Sequence, residues 1–227
     1  MLSLAKITEH LGSGEFGTVC KGFWHTNSGR LEVAIKMAQN QATDQDKVRF
    51  LQEAATLGQF QHPNIVRLHG VVTVNDPVMI LLELMKKGDL KNYLKTLRPA
   101  GEMVVQPQMK QRLLRFCTEV ALGLEYLAKK SFIHRDIAAR NILLADNCTC
   151  KIADFGMSRD LEDQDYYCSV GGKVPFKWTA PEALHYRKYS SASDVWSYGV
   201  LLWEIWSLGH TPYKDYNTTE EVRQSPA

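Results

Sequence analysis

The sequence predicts an α+β fold in two parts, a small antiparallel β part carrying one helix and a larger, mainly helical part. Three observations predict it: β-type segments broken by Gly between Ile7 and about Val78, one amphipathic stretch interrupting them at Asp44, and helical periodicity from Gly88 onward. The divisions that follow are residues 1–82, a connecting segment 83–88 and residues 89–227.

In the first part, Val33-Ala34-Ile35 and Ile65-Val66-Arg67-Leu68 are the clearest strands, because β-branched side chains fit a pleated surface. A helix is expected from about Asp44 to Gly58, with Thr43 as N-cap, Asp46 three residues on, and Val48, Leu51, Ala55 and Gly58 at helical spacing. Glu53 shares a face with Phe50 and Leu57. That face is expected to be buried, so the carboxylate needs a cation, and Lys36 at the end of Val33-Ala34-Ile35 is the natural one. In the second part, Arg98 to Gln108 holds Pro99, Gly101 and Pro107 and reads as a surface loop. Leu113, Phe116, Val120, Leu124 and Leu127 mark a long amphipathic helix, and Val195 to Trp206 is apolar nearly all round, as a buried central helix should be. No repeat of fixed period is apparent.

Composition narrows the function. The 227 residues are 44% hydrophobic and 23% charged, a globular balance, and a net charge of +2 with scattered basic doublets argues against nucleic acid as a partner. The doublets Lys86-Lys87, Lys129-Lys130 and Arg187-Lys188 are expected to be solvated surface. Five cysteines without C-x-x-C spacing imply a reducing compartment, and Cys148 with Cys150 reads as a strand end rather than a metal pair. No apolar run approaches the roughly 20 residues needed to cross a bilayer, and the start lacks the pattern of a secretory signal.

Leu11-Gly12-Ser13-Gly14-Glu15-Phe16-Gly17-Thr18-Val19 can form a tight turn whose backbone amides approach phosphate oxygens. By itself this pattern also fits a dinucleotide site or a plain hairpin, but Thr18-Val19-Cys20 continues as strand, which argues against the dinucleotide crevice. Further on stand His134-Arg135-Asp136-Ile137-Ala138-Ala139-Arg140-Asn141, then Asp154-Phe155-Gly156, then Ala180-Pro181-Glu182. Singly, Asp136 and Asp154 could be helix caps or surface carboxylates, and only the ordered set defeats that default.

With these blocks in order, the chain resembles the protein kinase family from about Ile7 to its end. The resemblance implies the bilobal kinase fold, with residues 1–82 as the small lobe, 83–88 as hinge and 89–227 as the large lobe. It implies ATP and Mg2+ as cofactors. Asp136 is then the catalytic base, Asn141 and Asp154 hold magnesium, and the Lys36–Glu53 pair steadies the α- and β-phosphates. The residues from Leu11 to Val19 cover the phosphates. The adenine pocket is implied to take Val19 and Ala34 above, Leu143 below, and the Glu83 and Met85 backbone at one edge. Leu82, where many tyrosine kinases have threonine, is expected to narrow the rear of that pocket.

The acceptor is read from smaller differences. Many serine/threonine kinases carry a lysine two residues after the base; here Ala138 stands there, and Arg140 resembles its replacement in tyrosine kinases, with a structural arginine as the alternative. Gly171-Gly172-Lys173-Val174-Pro175-Phe176-Lys177-Trp178 resembles the platform against which a substrate tyrosine packs. Tyr166 and Tyr167, among Glu162, Asp163 and Asp165, are expected to be regulatory, their phosphates pairing with Arg135 or Arg159. Plain exposed tyrosines remain the alternative there. Implied partners are proteins with exposed tyrosines and a second copy for trans-phosphorylation, on the cytoplasmic side, as in receptor tyrosine kinases including the ephrin-receptor group. The family pattern runs on past Thr211-Pro212-Tyr213 through further helices that the sequence does not include, so an arginine partner for Glu182 is expected to be missing. A module that binds nucleotide without catalysis, and a serine/threonine kinase, stay open as alternatives.

Overall fold

The computed structural model describes residues 6–14, 17–26, 29–39, 42–74, 76–99, 106–156, 159–160, 167–168 and 175–215. It divides into two units, Met1–Lys86 and Lys87–Ala227.

The first unit is a five-stranded antiparallel sheet in the order β1-β2-β3-β5-β4. Its strands are β1 (Lys6–Gly14), β2 (Gly17–Thr26), β3 (Gly29–Met37), β4 (Leu68–Val72) and β5 (Met79–Glu83), with α1 (Asp44–Leu57) between β3 and β4. Alternation along β3 sends Val33 and Ile35 into one buried cluster with Leu81, while Ile80 joins Ala38 and Val78 against Phe50 and Ala54 of α1. Lys36 pairs with Ile80, so its side chain leaves the sheet on the face that α1 covers. The helix begins as expected: Thr43 Oγ1 accepts the Asp46 N–H at 3.2 Å, and the Thr43 N–H donates to the Asp46 carboxylate at 3.0 Å.

Two expectations change here. The stripe Val48, Leu51, Ala55, Gly58 is not the inner face of α1; Val48 is 53% exposed, and Phe50, Ala54 and Leu57 are buried instead. Two stripes compete on this helix, and the one bearing the aromatic ring removes more apolar area from water. The strand expected at Ile65 begins only at Leu68. The Ile65 N–H closes a turn by donating to the His62 carbonyl at 3.2 Å, and the Arg67 N–H lies 3.4 Å from the Glu83 carboxylate, so neither N–H serves the ladder.

The second unit is mainly helical. In order it contains α2 (Leu90–Thr96), α3 (Pro107–Lys129), β6 (Phe132–Ile133), a 3-10 turn (Ala139–Asn141), β7 (Ile142–Leu144), β8 (Cys150–Ile152), β9 (Arg159–Asp160), β10 (Tyr167–Cys168), α4 (Pro181–Tyr186), β11 (Lys188–Tyr189) and α5 (Ser191–Trp206). The short strands pair as β6 with β9, β7 with β8, and β10 with β11. Asp89 caps α2 by accepting the Asn92 N–H at 2.8 Å. The loop expected through Gln108 ends at Gln106, because Pro107 is tolerated in the first turn, where its missing N–H costs nothing. The long helix buries Leu113, Phe116, Val120 and Leu127 as expected, while Leu124 of the same stripe is half-buried.

The expectation that α5 is buried all round is corrected. Val195, Trp196, Trp203 and Trp206 are exposed, while the inner face carries Asp194, Ser197, Leu201 and Glu204 at three- and four-residue spacing. Asp194 and Glu204 supply the acceptors that buried backbone N–H groups need, whereas a tryptophan side chain offers only a donor. Cys20, Cys117, Cys148 and Cys150 are free thiols, and burial pushes the Cys150 thiol far up. Among the described residues no cluster of three metal ligands occurs, and no helix is long and apolar enough to cross a membrane.

Candidate active site

In the first unit, the Lys36 ammonium donates to both Glu53 oxygens, at 2.7 and 2.6 Å, with the two side chains only 13% and 9% exposed. The pair follows from the fold: Lys36 leaves β3 toward α1, and Glu53 lies one turn from Phe50 on the buried helix face. So little water reaches it that removing one partner leaves a charge stranded, at a cost of about 3–5 kcal/mol.

The glycine-rich segment forms the β1–β2 hairpin, pairing Gly12 with Val19, Ser13 with Thr18 and Gly14 with Gly17. Gly17 is required by packing: its φ is +133°, and a Cβ there would lie 1.9 Å from the Met37 carbonyl oxygen. A Cβ on Gly12 would meet nothing within 4 Å, so packing places no demand there. Leu11 is exposed and Ser13 shares a hydrogen bond with His10. Glu15 and Phe16 lie outside the described residues. Ala34 and Met85 are buried, Val19 is half-buried, and the Glu83 N–H donates to the Arg67 carbonyl at 2.9 Å.

Leu82 pairs with Ala34 and packs against the cluster holding Phe50 and Ala54. Leu82→Thr is expected to lower unfolding stability by about 2 kcal/mol, measured by denaturant titration, because it removes buried methyl groups and adds a hydroxyl. The same variant should bind an inhibitor that reaches behind Leu82 more tightly than the parent does; equal affinity would contradict the expected narrowing.

In the second unit, both oxygens of the Asp136 carboxylate are held. Arg140 Nη2 donates to Oδ1, and Asn141 Nδ2 donates to Oδ2 at 2.7 Å and to the Asp136 carbonyl at 2.8 Å. The 3-10 turn Ala139–Asn141 makes this possible, returning residues four and five positions on to Asp136. With its amide nitrogen so committed, Asn141 turns its amide oxygen to other use, and a hard oxygen donor suits magnesium. Asp154 is exposed, at φ +61°, with one carboxylate oxygen 3.4 Å from the Gly156 N–H. The Ala153 N–H donates to the Asn141 carbonyl at 2.9 Å, which ties the segment before Asp154 to the turn carrying Asn141. One amide oxygen and one exposed carboxylate are a donor set that fits magnesium. Leu143 pairs with Lys151 in β7–β8 and bridges to Asp89.

Three residues that sequence reasoning left without a role support this loop. His134 is fully buried; its Nδ1 accepts the Asp136 N–H at 3.3 Å, so Nε2 carries the proton and donates to the Ala153 carbonyl at 3.1 Å. The edge of its ring meets Phe155 at 4.9 Å between centroids. Asp194 accepts the His134 N–H at 2.7 Å and the Arg135 N–H at 2.9 Å. Glu204 Oε2 accepts the Ala139 N–H at 2.8 Å and the Trp178 Nε1–H at 2.9 Å. The signal that could have found both carboxylates was their presence in an otherwise apolar helix.

Burial pushes the Asp194 carboxyl above its ordinary value, against the opposing pull of His134 and the two N–H groups, and burial does the same to Glu204. A raised carboxyl pKa contributes stability that is present below the ordinary carboxylate value and lost as pH rises through the raised one. The advantage of Glu204→Gln over the parent in unfolding free energy should therefore widen across that window and level off above it. Thermal melts of the two proteins over a pH series check this.

The Arg140 guanidinium lies over the Trp178 ring, 4.4 Å from its centroid, and Arg135 lies over Tyr189 at 4.1 Å. Of the expected platform, Pro175 to Trp178 is described and Gly171 to Val174 is not. Tyr166 lies outside the described residues; Tyr167 is described by its backbone alone, paired with Tyr189, as is Arg159, paired with Ile133.

A family model described as "Protein tyrosine and serine/threonine kinase" matches residues 5–226. Ephrin type-B receptor 3 of Xenopus laevis and ephrin type-B receptor 4 of Homo sapiens are each 46% identical to 97% of the chain. Ephrin type-B receptor 2 of Gallus gallus is 44% identical over the same share. The chain spans about 22% of the length of these relatives.

Proposed function

Because the chain belongs to the protein tyrosine and serine/threonine kinase family, with ephrin type-B receptors among its relatives, we propose that it transfers the γ-phosphate of ATP to tyrosine hydroxyls of protein substrates. The observation that carries this reading is the Asp136 carboxylate held at both oxygens by Arg140 and Asn141. A base so fixed accepts the phenolic proton as the phenol oxygen bonds to the γ-phosphorus and the bond to the bridging oxygen breaks, releasing ADP. Lys36, kept in place by Glu53, takes the α- and β-phosphates. Asn141 and Asp154 hold magnesium, which when bound neutralises charge on the phosphates. Gly12, open to approach, and its neighbours from Leu11 to Val19 cover the phosphates, while Ala34, Val19, Leu143 and the Glu83–Met85 backbone receive the adenine.

Tyrosine selectivity is supported by Ala138 standing where a lysine would, and by Arg140 lying over the Trp178 ring. The setting is receptor-type signalling on the cytoplasmic side, with proteins bearing exposed tyrosines as substrates and a second copy as the trans-phosphorylating partner. Transfer from magnesium-ATP to a mixed peptide set, followed by phosphoamino acid analysis, tests the reading. Phosphotyrosine alone supports it; phosphoserine points to the other branch of the family, and nucleotide binding without transfer to a silent module.

Regulation is placed on Tyr166 and Tyr167. Replacing both with Phe should abolish the rise in activity that preincubation with magnesium-ATP produces in the parent. An undiminished rise in the double variant removes these tyrosines from regulation.

A further inference from the structure

Glu204 is the least economical residue of the second unit. It is wholly buried, one carboxylate oxygen serves both N–H donors, and Oε1 has no hydrogen-bond partner among the described residues. Either donor could be satisfied by a neutral oxygen without burying a charge. What a carboxylate at this point does is join two segments that are distant in sequence: Ala139, in the turn that carries Arg140 and Asn141, and the ring of Trp178. The same ring lies beneath the Arg140 guanidinium, and Arg140 holds Asp136. A ring of contacts therefore closes from Glu204 through Trp178, Arg140 and the loop backbone at Ala139 back to Glu204. Ser197, two turns earlier on the same face of α5, fixes the Trp178 carbonyl by donating to it at 2.7 Å. Trp178 is thus held at both its backbone and its ring nitrogen from a single helix, while its π-face remains for the arginine.

We propose that Glu204 is a positioning residue that sets the acceptor side of the reaction: it fixes the distance between the Asp136–Asn141 loop and the Trp178 ring, and thereby the pose of Arg140 and the affinity for the tyrosine-bearing peptide. This rests on the kinase reading above. It assigns Glu204 no contact with ATP, so the nucleotide side should respond less than the peptide side.

The test compares steady-state transfer to a tyrosine peptide by the intact protein and by Glu204→Met, Glu204→Gln and Trp178→Phe. Glu204→Met should raise the peptide KM by about tenfold or more with a much smaller change in the ATP KM, since the acceptor side is the one that Glu204 aligns. Glu204→Gln, whose amide oxygen still accepts both N–H groups, should restore the parent value. Trp178→Phe keeps an aromatic ring beneath Arg140 but removes the indole N–H together with part of the ring, so it should raise the peptide KM in the same direction, and should add little in combination with Glu204→Met. An unchanged peptide KM in folded Glu204→Met, or a Gln variant as impaired as Met, overturns the proposal and leaves the kinase reading intact. Should Glu204→Met not fold, an unchanged peptide KM in Trp178→Phe overturns it equally. Absence of transfer by the parent itself overturns both.

Discussion

Asp136→Asn is expected to lower the rate of phosphate transfer by about a thousandfold, the scale on which a positioned general base acts. The substitution is isosteric, so the fold should survive, but its consequences exceed the loss of a base. The carboxylate now accepts from Arg140 at one oxygen and from Asn141 at the other. An asparagine offers one acceptor and one NH2 group. With its oxygen toward Arg140, that NH2 faces the Asn141 NH2, and the relief is for Asn141 to turn its own oxygen inward. The oxygen proposed for magnesium is then spent inside the protein. Asp136→Asn should therefore also need more magnesium to reach its residual rate, which single-turnover measurements across a magnesium series will reveal. A variant that transfers phosphate within about tenfold of the parent would remove Asp136 from the role of base.

The second large effect is expected at Asp194, which never meets a substrate in the proposed reaction. Its two oxygens receive the N–H groups of consecutive residues, His134 and Arg135, from about sixty positions away in sequence. Arg135 stands at φ +72°, a conformation costing a non-glycine residue about 1–2 kcal/mol. The carboxylate holds that conformation by giving the Arg135 N–H its acceptor. Asp194→Asn replaces one acceptor with a donor aimed at a buried N–H, so unfolding stability should drop by about 3 kcal/mol. Activity should fall with it even under conditions where the variant is folded. The reason is local: the His134 ring both accepts the Asp136 N–H and donates to Ala153, so movement at His134 displaces the base and the segment leading to Asp154 together. Denaturant titration paired with single-turnover transfer makes the check, and a variant of parental stability would mean that the loop holds its shape without this anchor.

How far the molecule was legible beforehand differs from residue to residue. The capping box at Thr43 and Asp46 and the burial of Phe50 and Leu57 around Glu53 were readable because each depends on residues within one helical turn. The strand at Ile65 was misjudged because β propensity measures fit to a half-buried surface, and here the Ile65 N–H closes a turn on His62 while the Arg67 N–H turns to a side chain. Which side of α5 turns inward was not readable for a related reason: composition tells how apolar a helix is, not which side the rest of the chain needs.

The sequence by itself determined the α+β class and the family, and it nominated Lys36 and Glu53 in the first unit and Asp136, Arg140, Asn141 and Asp154 in the second, since these lie in short ordered blocks whose spacing is local. Only the tertiary structure decided that Asp194, Ser197 and Glu204 turn inward to hold His134, Arg135, Ala139 and Trp178. The physical reason is that a buried backbone N–H must find an acceptor, and which acceptor it finds is settled by packing across some sixty residues of chain, a distance over which no local pattern carries information.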